Sequence, residues 1–255
     1  MDTLLHDISL TWIIALMMVG FAAGYIDAVA GGGGMLQLPA LLFVGVPPVS
    51  ALATNKIVGF TGTLLAVIKY TVEKKVYWKL VFYAAIPCLI AAYLGSLTAM
   101  LLNAELLTWM MLLCIPIALF FVLRKNQDHK KTNVIDSPSK TIATIAPIGF
   151  YDGLLGPGTG SYMAIVIHRF LKHDFLTATA SVKPLNLLTN LGAAIAFLIA
   201  GKVIWIIALP MACSSALGGW LGGKSAITGG EDFIRKVLIS VLVFMLLANI
   251  AKMIF

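Results

Sequence analysis

Long apolar runs interrupted at two glycine-rich points dominate the pattern along the 255 residues. Ser9–Ala30, Val81–Met100, Leu106–Leu123 and Phe233–Ala251 each approach the ~20 residues a helix needs to cross a bilayer. Short alternating segments of the outer-membrane barrel kind are not seen. The predicted fold class is therefore all-α, a polytopic integral membrane protein. Two further apolar stretches, Met35–Val46 and Ser161–Ile167, are too short to cross easily. They are expected to be re-entrant hairpin halves or short helices, each broken at the glycines that precede it. Irregular backbone at membrane depth must be shielded by protein or line a wet cavity, so these breaks belong inside the molecule.

The two breaks are copies of one another. GYIDAVAGGG (Gly24–Gly33) aligns with GFYDGLLGPG (Gly149–Gly158) at the 125-residue offset from Asp27 to Asp152. ATNK (Ala53–Lys56) then aligns with ASVK (Ala180–Lys183) at an offset of 127. Trp78 with Trp205 and Gly95 with Gly222 keep that second register. Shared landmarks at one spacing predict two structural repeats. Residues 1–123 form the first transmembrane repeat, 124–140 a hydrophilic linker and 141–255 the second repeat.

Composition sharpens this picture: 60% of the residues are apolar and 11% charged, against roughly 25% charged in a soluble domain. Lys and Arg set orientation through their excess on cytoplasmic loops. In the first repeat Lys69, Lys74, Lys75 and Lys79 lie on one side, as do Arg124, Lys125, Lys130, Lys131 and Lys140 of the linker. The opposite loops, Gly45–Ser50 and Leu102–Leu106, have none. In the second repeat the bias reverses: Arg169, Lys172, Lys224, Arg235 and Lys236 occupy the equivalents of the bare loops, while Lys202 and Lys252 are alone on the other side. Reversal predicts inverted-topology repeats, with a cytoplasmic linker and both termini outside. The opening MDTLLHD lacks a basic n-region and a cleavage site, so the first apolar run is expected to stay in the fold.

Of the 18 Lys and Arg residues, Lys56 and Lys183 alone fall inside apolar spans, and they are repeat equivalents. Asp27 and Asp152 are the matching acidic pair. An ionisable group at mid-bilayer costs at least ~3 kcal/mol and is by default a functional candidate. The competing readings are lysines that snorkel to an interface, and aspartates that cap broken helices or pair structurally with the lysines. Helices restarting after Gly34 and Gly160 would present unpaired N–H groups and positive dipole ends. Such ends, with two lysines nearby, suit a small anion. The candidate substrate-binding residues are Gly31, Gly32, Gly33, Gly34, Thr54, Asn55, Lys56, Gly156, Gly158, Thr159, Gly160, Ser181, Lys183, Asn186 and Asn190. Lys183, Asn186 and Asn190 share a helix face, and Gln37 is a weaker candidate. Asp27 and Asp152 are the candidates for proton coupling, since a carboxyl group in apolar surroundings can take up and release a proton during a cycle.

Other features are expected to be structural. GGWLGGKS (Gly218–Ser225) fits the P-loop pattern, but that motif belongs between a strand and a helix of a soluble sheet. Its glycines are better explained by close helix packing. Cys88, Cys114 and Cys213 are expected to be buried small hydrophobes, and His6, His129, His168 and His173 to be solvated.

GFAAGYIDAVAGGGGMLQLPALL, ALATNK, and GFYDGLLGPGTGSY followed by TATASVKPLNLLTNLGAAIAF resemble the TauE/SafE (sulfite exporter) family, in particular its YfcA-like members. The resemblance covers nearly the whole chain. It implies a secondary transporter, an exporter, of a small anion such as sulfite or an organosulfonate, in a bacterial inner membrane. It places the family's functional residues on the glycine motifs, Asn55–Lys56, and Lys183 with Asn186. The expected partners are a small anionic substrate, the lipid bilayer, a proton or sodium as coupling ion, and a further copy of the chain if it forms a homo-oligomer. No cofactor, metal or nucleic acid is expected, and no enzymatic activity. The rival functions are a passive anion channel and a membrane assembly factor. An intramembrane aspartyl protease would also use two aspartates, but its GxGD context is missing.

The charge reversal makes a topological prediction. A cysteine placed at Ser137 should react with a membrane-impermeant reagent only from the cytoplasmic side. Labelling from the periplasm would overturn the inverted arrangement.

Overall fold

The structure is a computed structural model that describes residues 10–110 and 137–254. His6, Cys114, His129, most of the Leu106–Leu123 run and linker residues 124–136 lie outside the described residues. Among the described residues the main helical stretches are α1 (Leu10–Ala30), α2 (Gly33–Phe43), α3 (Pro48–Val72), α4 (Trp78–Leu101), α5 (Pro138–Leu154), α6 (Thr159–Phe170), α7 (Phe175–Ile199) and α8 (Trp205–Ile254). Residues 104–110 are also helical. Among the described residues, five helices are long and apolar enough to cross a membrane: α1, α3, α4, α7 and the Trp205–Gly230 part of α8.

Helix α4 shows how the sequence selects a lipid face. Phe82, Ile86, Ile90, Leu94, Leu97 and Leu101 recur every three or four residues and are exposed. Ala84, Cys88, Ala92, Ser96 and Ala99 follow the same spacing and are buried. Large side chains point outward and small ones inward because lipid tails supply no hydrophobic drive between helices; close backbone packing does that instead. On α8, Ile206, Leu209, Leu217 and Leu221 face out. The glycines of the P-loop look-alike face in: an added Cβ on Gly218 would strike the Phe21 carbonyl, one on Gly219 the Gly62 carbonyl and one on Gly222 the Tyr25 carbonyl. The motif is a packing surface within a helix.

Packing crosses between the proposed repeats. Helix α1 lies along α8, and its counterpart α5 lies along α4. Likewise α3 meets α8, α7 meets α4, and α3 meets α7. The pattern is unchanged when the two halves are exchanged. Two hydrogen bonds repeat it in detail: the Tyr77 amide donates to Ser181 Oγ at 2.9 Å, and the Ile204 amide donates to Thr54 Oγ1 at 3.3 Å. Both donor and acceptor shift by 127 residues between these two bonds. Each ties the start of one half's last long helix to the other half's lysine-bearing helix.

Residues near the helix ends differ in burial. Tyr70 is in the last turn of α3, fully buried, with its hydroxyl donating to the Ala28 carbonyl at 3.0 Å. Lys69 also lies in that turn and bonds Glu73 at 2.8 Å, which holds the Glu73 carboxyl below its ordinary range. Lys224 and the pair Arg235 and Lys236 lie on either side of non-helical backbone at Gly230 (φ 66°), where two helices of the α8 stretch meet at a kink, so they sit toward helix ends. Glycine takes up that left-handed conformation without the steric cost other residues meet. His173 is buried rather than solvated, packed on the Tyr77 ring at 4.8 Å, and its carbonyl pairs with His168 Nδ1 at 2.8 Å. Cys88 is buried as expected, whereas Cys213 is exposed on the outer face of α8.

The short helices replace spans. Helices α2 and α6 have 11 and 12 residues, about half of a crossing. Their starts touch: a Cβ on Gly160 would lie 2.5 Å from the Gly31 Cα, and one on Gly31 would lie 2.5 Å from the Gly160 carbonyl carbon. Gly31 (φ 77°) and its equivalent Gly156 (φ 88°) also adopt the left-handed conformation that L side chains avoid. Ser161 Oγ donates to the Ala30 carbonyl at 2.8 Å and fastens the two breaks together. Gly160→Ala is therefore expected to cost about 1–3 kcal/mol through overpacking. Gly32→Ala, whose Cβ would meet nothing closer than 3.6 Å, should be near neutral. Thermal unfolding in detergent checks this, and equal midpoints for the two variants would contradict the backbone contact.

Candidate functional site

Apolar helices carry the four ionisable residues to the centre, where they pair across the halves. Lys56 of α3 bonds Asp152 of α5, Nζ to Oδ1, at 2.8 Å, with side-chain exposures of 1% and 3%. Lys183 of α7 faces Asp27 of α1: its Nζ lies 3.8 Å from Oδ2 and donates to the Asp27 backbone carbonyl. The two pairs are repeat equivalents with different geometry. Each carboxylate is held by a threonine: Thr159 Oγ1 donates to Asp152 Oδ1 at 2.7 Å, and Thr63 Oγ1 donates to Asp27 Oδ2 at 3.1 Å.

Neither aspartate caps a broken helix. The N-cap residues of α2 and α6 are Gly32 and Gly158, and neither helix has a side-chain cap. The helices begin at Gly33 and Thr159, so Gly34 and Gly160 sit inside the first turns rather than before them.

A cavity of about 30 Å³ opens between these groups. That is room for one or two waters or a compact ion. From the first half it is lined by Asp27, Gly31, Gly33, Gly34, Asn55 and Lys56, and from the second by Asp152, Gly156, Thr159, Gly160, Asn186 and Asn190. Gln37, Thr63 and Ser215 add polar side chains to its wall, and Gly24, Gly59 and Gly62 complete it. Gly33, Gly34 and Gly160 bring first-turn backbone to the cavity, where unpaired amides and the dipole favour negative charge.

Five expected residues do not line it. Gly32 and Gly158 face elsewhere as N-caps. Thr54 and Ser181 already hold the Ile204 and Tyr77 amides. Lys183 shares a helix face with Asn186 and Asn190 in the sequence, but its ammonium turns to the Asp27 carbonyl. Sequence reasoning passed over Gly24, Gly59, Gly62, Thr63 and Ser215. The repeat register could have pointed to Gly59 and Thr63, which are the equivalents of Asn186 and Asn190 at 127 residues. Nothing in the sequence distinguishes Ser215 from other small residues of α8.

The cavity sits on the exchange relation yet breaks it. Asp27 and Asp152, Gly31 and Gly156, Gly59 and Asn186, and Thr63 and Asn190 all line it in equivalent pairs. Asn55 and Ser215 line it, whereas their equivalents Val182 and Cys88 do not. Three residues that line it each carry a buried side-chain oxygen without a hydrogen-bond partner among the described residues: Gln37 Oε1, Asp152 Oδ2 and Ser215 Oγ. Buried polar atoms are nearly always paired, so these three are exceptions within the interior.

Helices long and apolar enough to cross a membrane, packed around a buried cavity with charged lining, are the pattern of a multi-pass membrane protein. Residues 16–248 match the family described as Sulfite exporter TauE/SafE. A Sinorhizobium protein named "Probable membrane transporter protein ORF9" is 35% identical over 239 residues, covering 93% of this chain and 92% of that protein. A Haemophilus influenzae "Probable membrane transporter protein" is 32% identical, covering 95% and 96%. The Escherichia coli K12 "Probable membrane transporter protein YfcA" is 32% identical, covering 89% and 85%. No solved structure matches. The chain belongs to the TauE/SafE family of membrane transporters.

Breaking a buried ion pair from one side leaves an uncompensated charge, at a cost of about 3–5 kcal/mol. Lys56→Met alone is expected to destabilise by that order, and Lys56→Met with Asp152→Leu to recover most of the loss. A double-mutant cycle on detergent unfolding measures the coupling. Additive losses would show that the two side chains do not depend on each other.

Proposed function

We propose that the protein is a secondary transporter, acting as an exporter, that carries a small anion by alternating access between two inverted repeats. The cavity between the glycine breaks holds the anion. The observation that carries this reading is the joint lining of one small cavity by a buried ammonium and two helix starts without side-chain caps. Such helix ends are a ready anion site. The relatives' names, all membrane transporters, agree with transport as the output.

The inverted arrangement is supported by the exchange-invariant packing and by the paired Tyr77–Ser181 and Ile204–Thr54 bonds. Helix α3 spans 25 residues between the α2–α3 and α3–α4 loops, so those loops lie at opposite ends of it. The α6–α7 residue His173 packs on Tyr77 of the α3–α4 loop, as oppositely oriented halves require. The substrate reading covers sulfite and organosulfonates alike, because the lining groups address a compact oxyanion head. Lys56 is the binding lysine and Lys183 the one that holds the fold. Asp27 and Asp152 are the groups able to exchange a proton with the cavity that both line.

Proteoliposomes loaded with sulfite test the reading. Saturable efflux is expected, and Lys56→Ala should weaken anion binding by about 1–3 kcal/mol, the worth of a charged hydrogen bond. Flux that rises linearly with concentration would mean a channel, and wild-type affinity in folded Lys56→Ala protein would move the anion elsewhere.

A further inference from the structure

The cavity wall carries two carboxylates, Asp27 and Asp152, against one ammonium, Lys56. Lys183, which does not line it, offsets Asp27 from 3.8 Å, so the four groups together are neutral. No other charged side chain lines the cavity among the described residues: α2, α6 and α8 bring Gln37, Thr159 and Ser215. Tyr70 of α3, beside α1, keeps its hydroxyl on the Ala28 carbonyl. An anion entering here would be a further buried charge without a counter-charge, which is strongly disfavoured at membrane depth. One proton taken up with the anion restores the balance.

The two aspartates are not equally placed to accept that proton. Asp152 Oδ1 receives both Lys56 and Thr159, and its side chain is 3% exposed. Asp27 receives Thr63 at 3.1 Å, its lysine stands back at 3.8 Å, and its side chain is 15% exposed. That exposure is toward the interior, because Asp27 shares the α1 face of Leu16, Gly20, Ala23 and Gly24, all buried. Of the residues lining the cavity, Asp27, Gly34 and Gly59 are half-buried and the rest are buried. Neutralising Asp27 also leaves Lys183 held, since its ammonium donates to the Asp27 backbone carbonyl. Neutralising Asp152 would instead take from Lys56 the carboxylate it is paired with.

Resting on the anion-site reading above, we propose that Asp27 is the proton site of this protein and that one proton binds there with each monoanion. Proton and anion then move in the same direction. Protonation also turns the Asp27 carboxyl from an acceptor into a donor, which removes its repulsion of the anion.

The probe is methanesulfonate, which does not itself titrate near neutral pH, so any proton counted belongs to the protein. Its binding to the purified full-length protein is measured by calorimetry in buffers of different ionisation heat. About one proton is expected to be taken up per methanesulfonate, and affinity should fall about tenfold for each pH unit of rise between about pH 6 and 8. Binding without proton uptake would overturn this inference and leave the anion site standing. No binding at any pH would overturn the site reading as well. These outcomes need no substitution, so a misfolded variant cannot obscure them. Asp27→Asn then locates the proton, because its amide is neutral and can donate as the protonated acid does. The folded variant should bind methanesulfonate equally across that pH range and take up no proton. Uptake that persists, or binding that is lost, would remove Asp27 from the role.

Discussion

The exchanged pairing of Lys56 with Asp152 and of Lys183 with Asp27 constrains everything else in this molecule. Each half of the chain supplies one lysine and one aspartate, and each lysine finds its counter-charge in the other half. A buried charge without a partner is strongly destabilising, so neither half can satisfy its ionisable groups alone. The pairs act as registry between the halves. Shifting α3 by one residue would rotate Lys56 away from Asp152 and leave both charges in an apolar setting.

Bringing four charged groups to one place in lipid demands close backbone approach, and the glycines supply it. Gly31 and Gly160 abut directly, which joins the two broken segments and closes the cavity on one side. Gly24 and Gly62 both lie against Ser215, which draws α1, α3 and α8 together behind the site. The outward Phe, Ile and Leu stripes of α4 and α8 then need only meet lipid. Small residues inside and large ones outside reverse the usual globular pattern, and the same reversal makes room for a polar centre.

Much of this was legible in the chain. The repeat register alone equates Asp27 with Asp152 and Lys56 with Lys183, and intramembrane charge is costly and seldom coincidental. The breaks at the glycines were equally plain. What the register could not reveal is partner choice. Thr54 and Ser181 read as donors for an anion, but their oxygens receive backbone amides from the opposite half, a contact separated by more than a hundred residues. Spacing also could not distinguish the two lysines. The difference lies in the neighbours: Asn55 and Ser215 leave Lys56 beside a polar space, while the equivalents Val182 and Cys88 do not line it, and Lys183 meets a backbone carbonyl. His173 was misplaced because its burial depends on Tyr77, and Cys213 because an apolar helix has two faces and composition does not say which is lipid.

That asymmetry bears on how a duplicated scaffold becomes a directional device. Two identical halves would place equivalent lysines at equivalent distances from one cavity, and an anion between them would have no preferred side. Here the Lys183 ammonium is committed to the Asp27 backbone carbonyl, a group that cannot titrate or swing away without unwinding the end of α1. The Lys56 ammonium is committed only to a side-chain oxygen whose sister atom is unmet. The two pairs therefore differ in what holds the ammonium, a backbone carbonyl in one and a side-chain carboxylate oxygen in the other. In the transport reading proposed above, the first pair keeps the halves in register and the second answers to the anion, so that loss of equivalence at Asn55, Ser215 and the lysine contacts separates holding from binding.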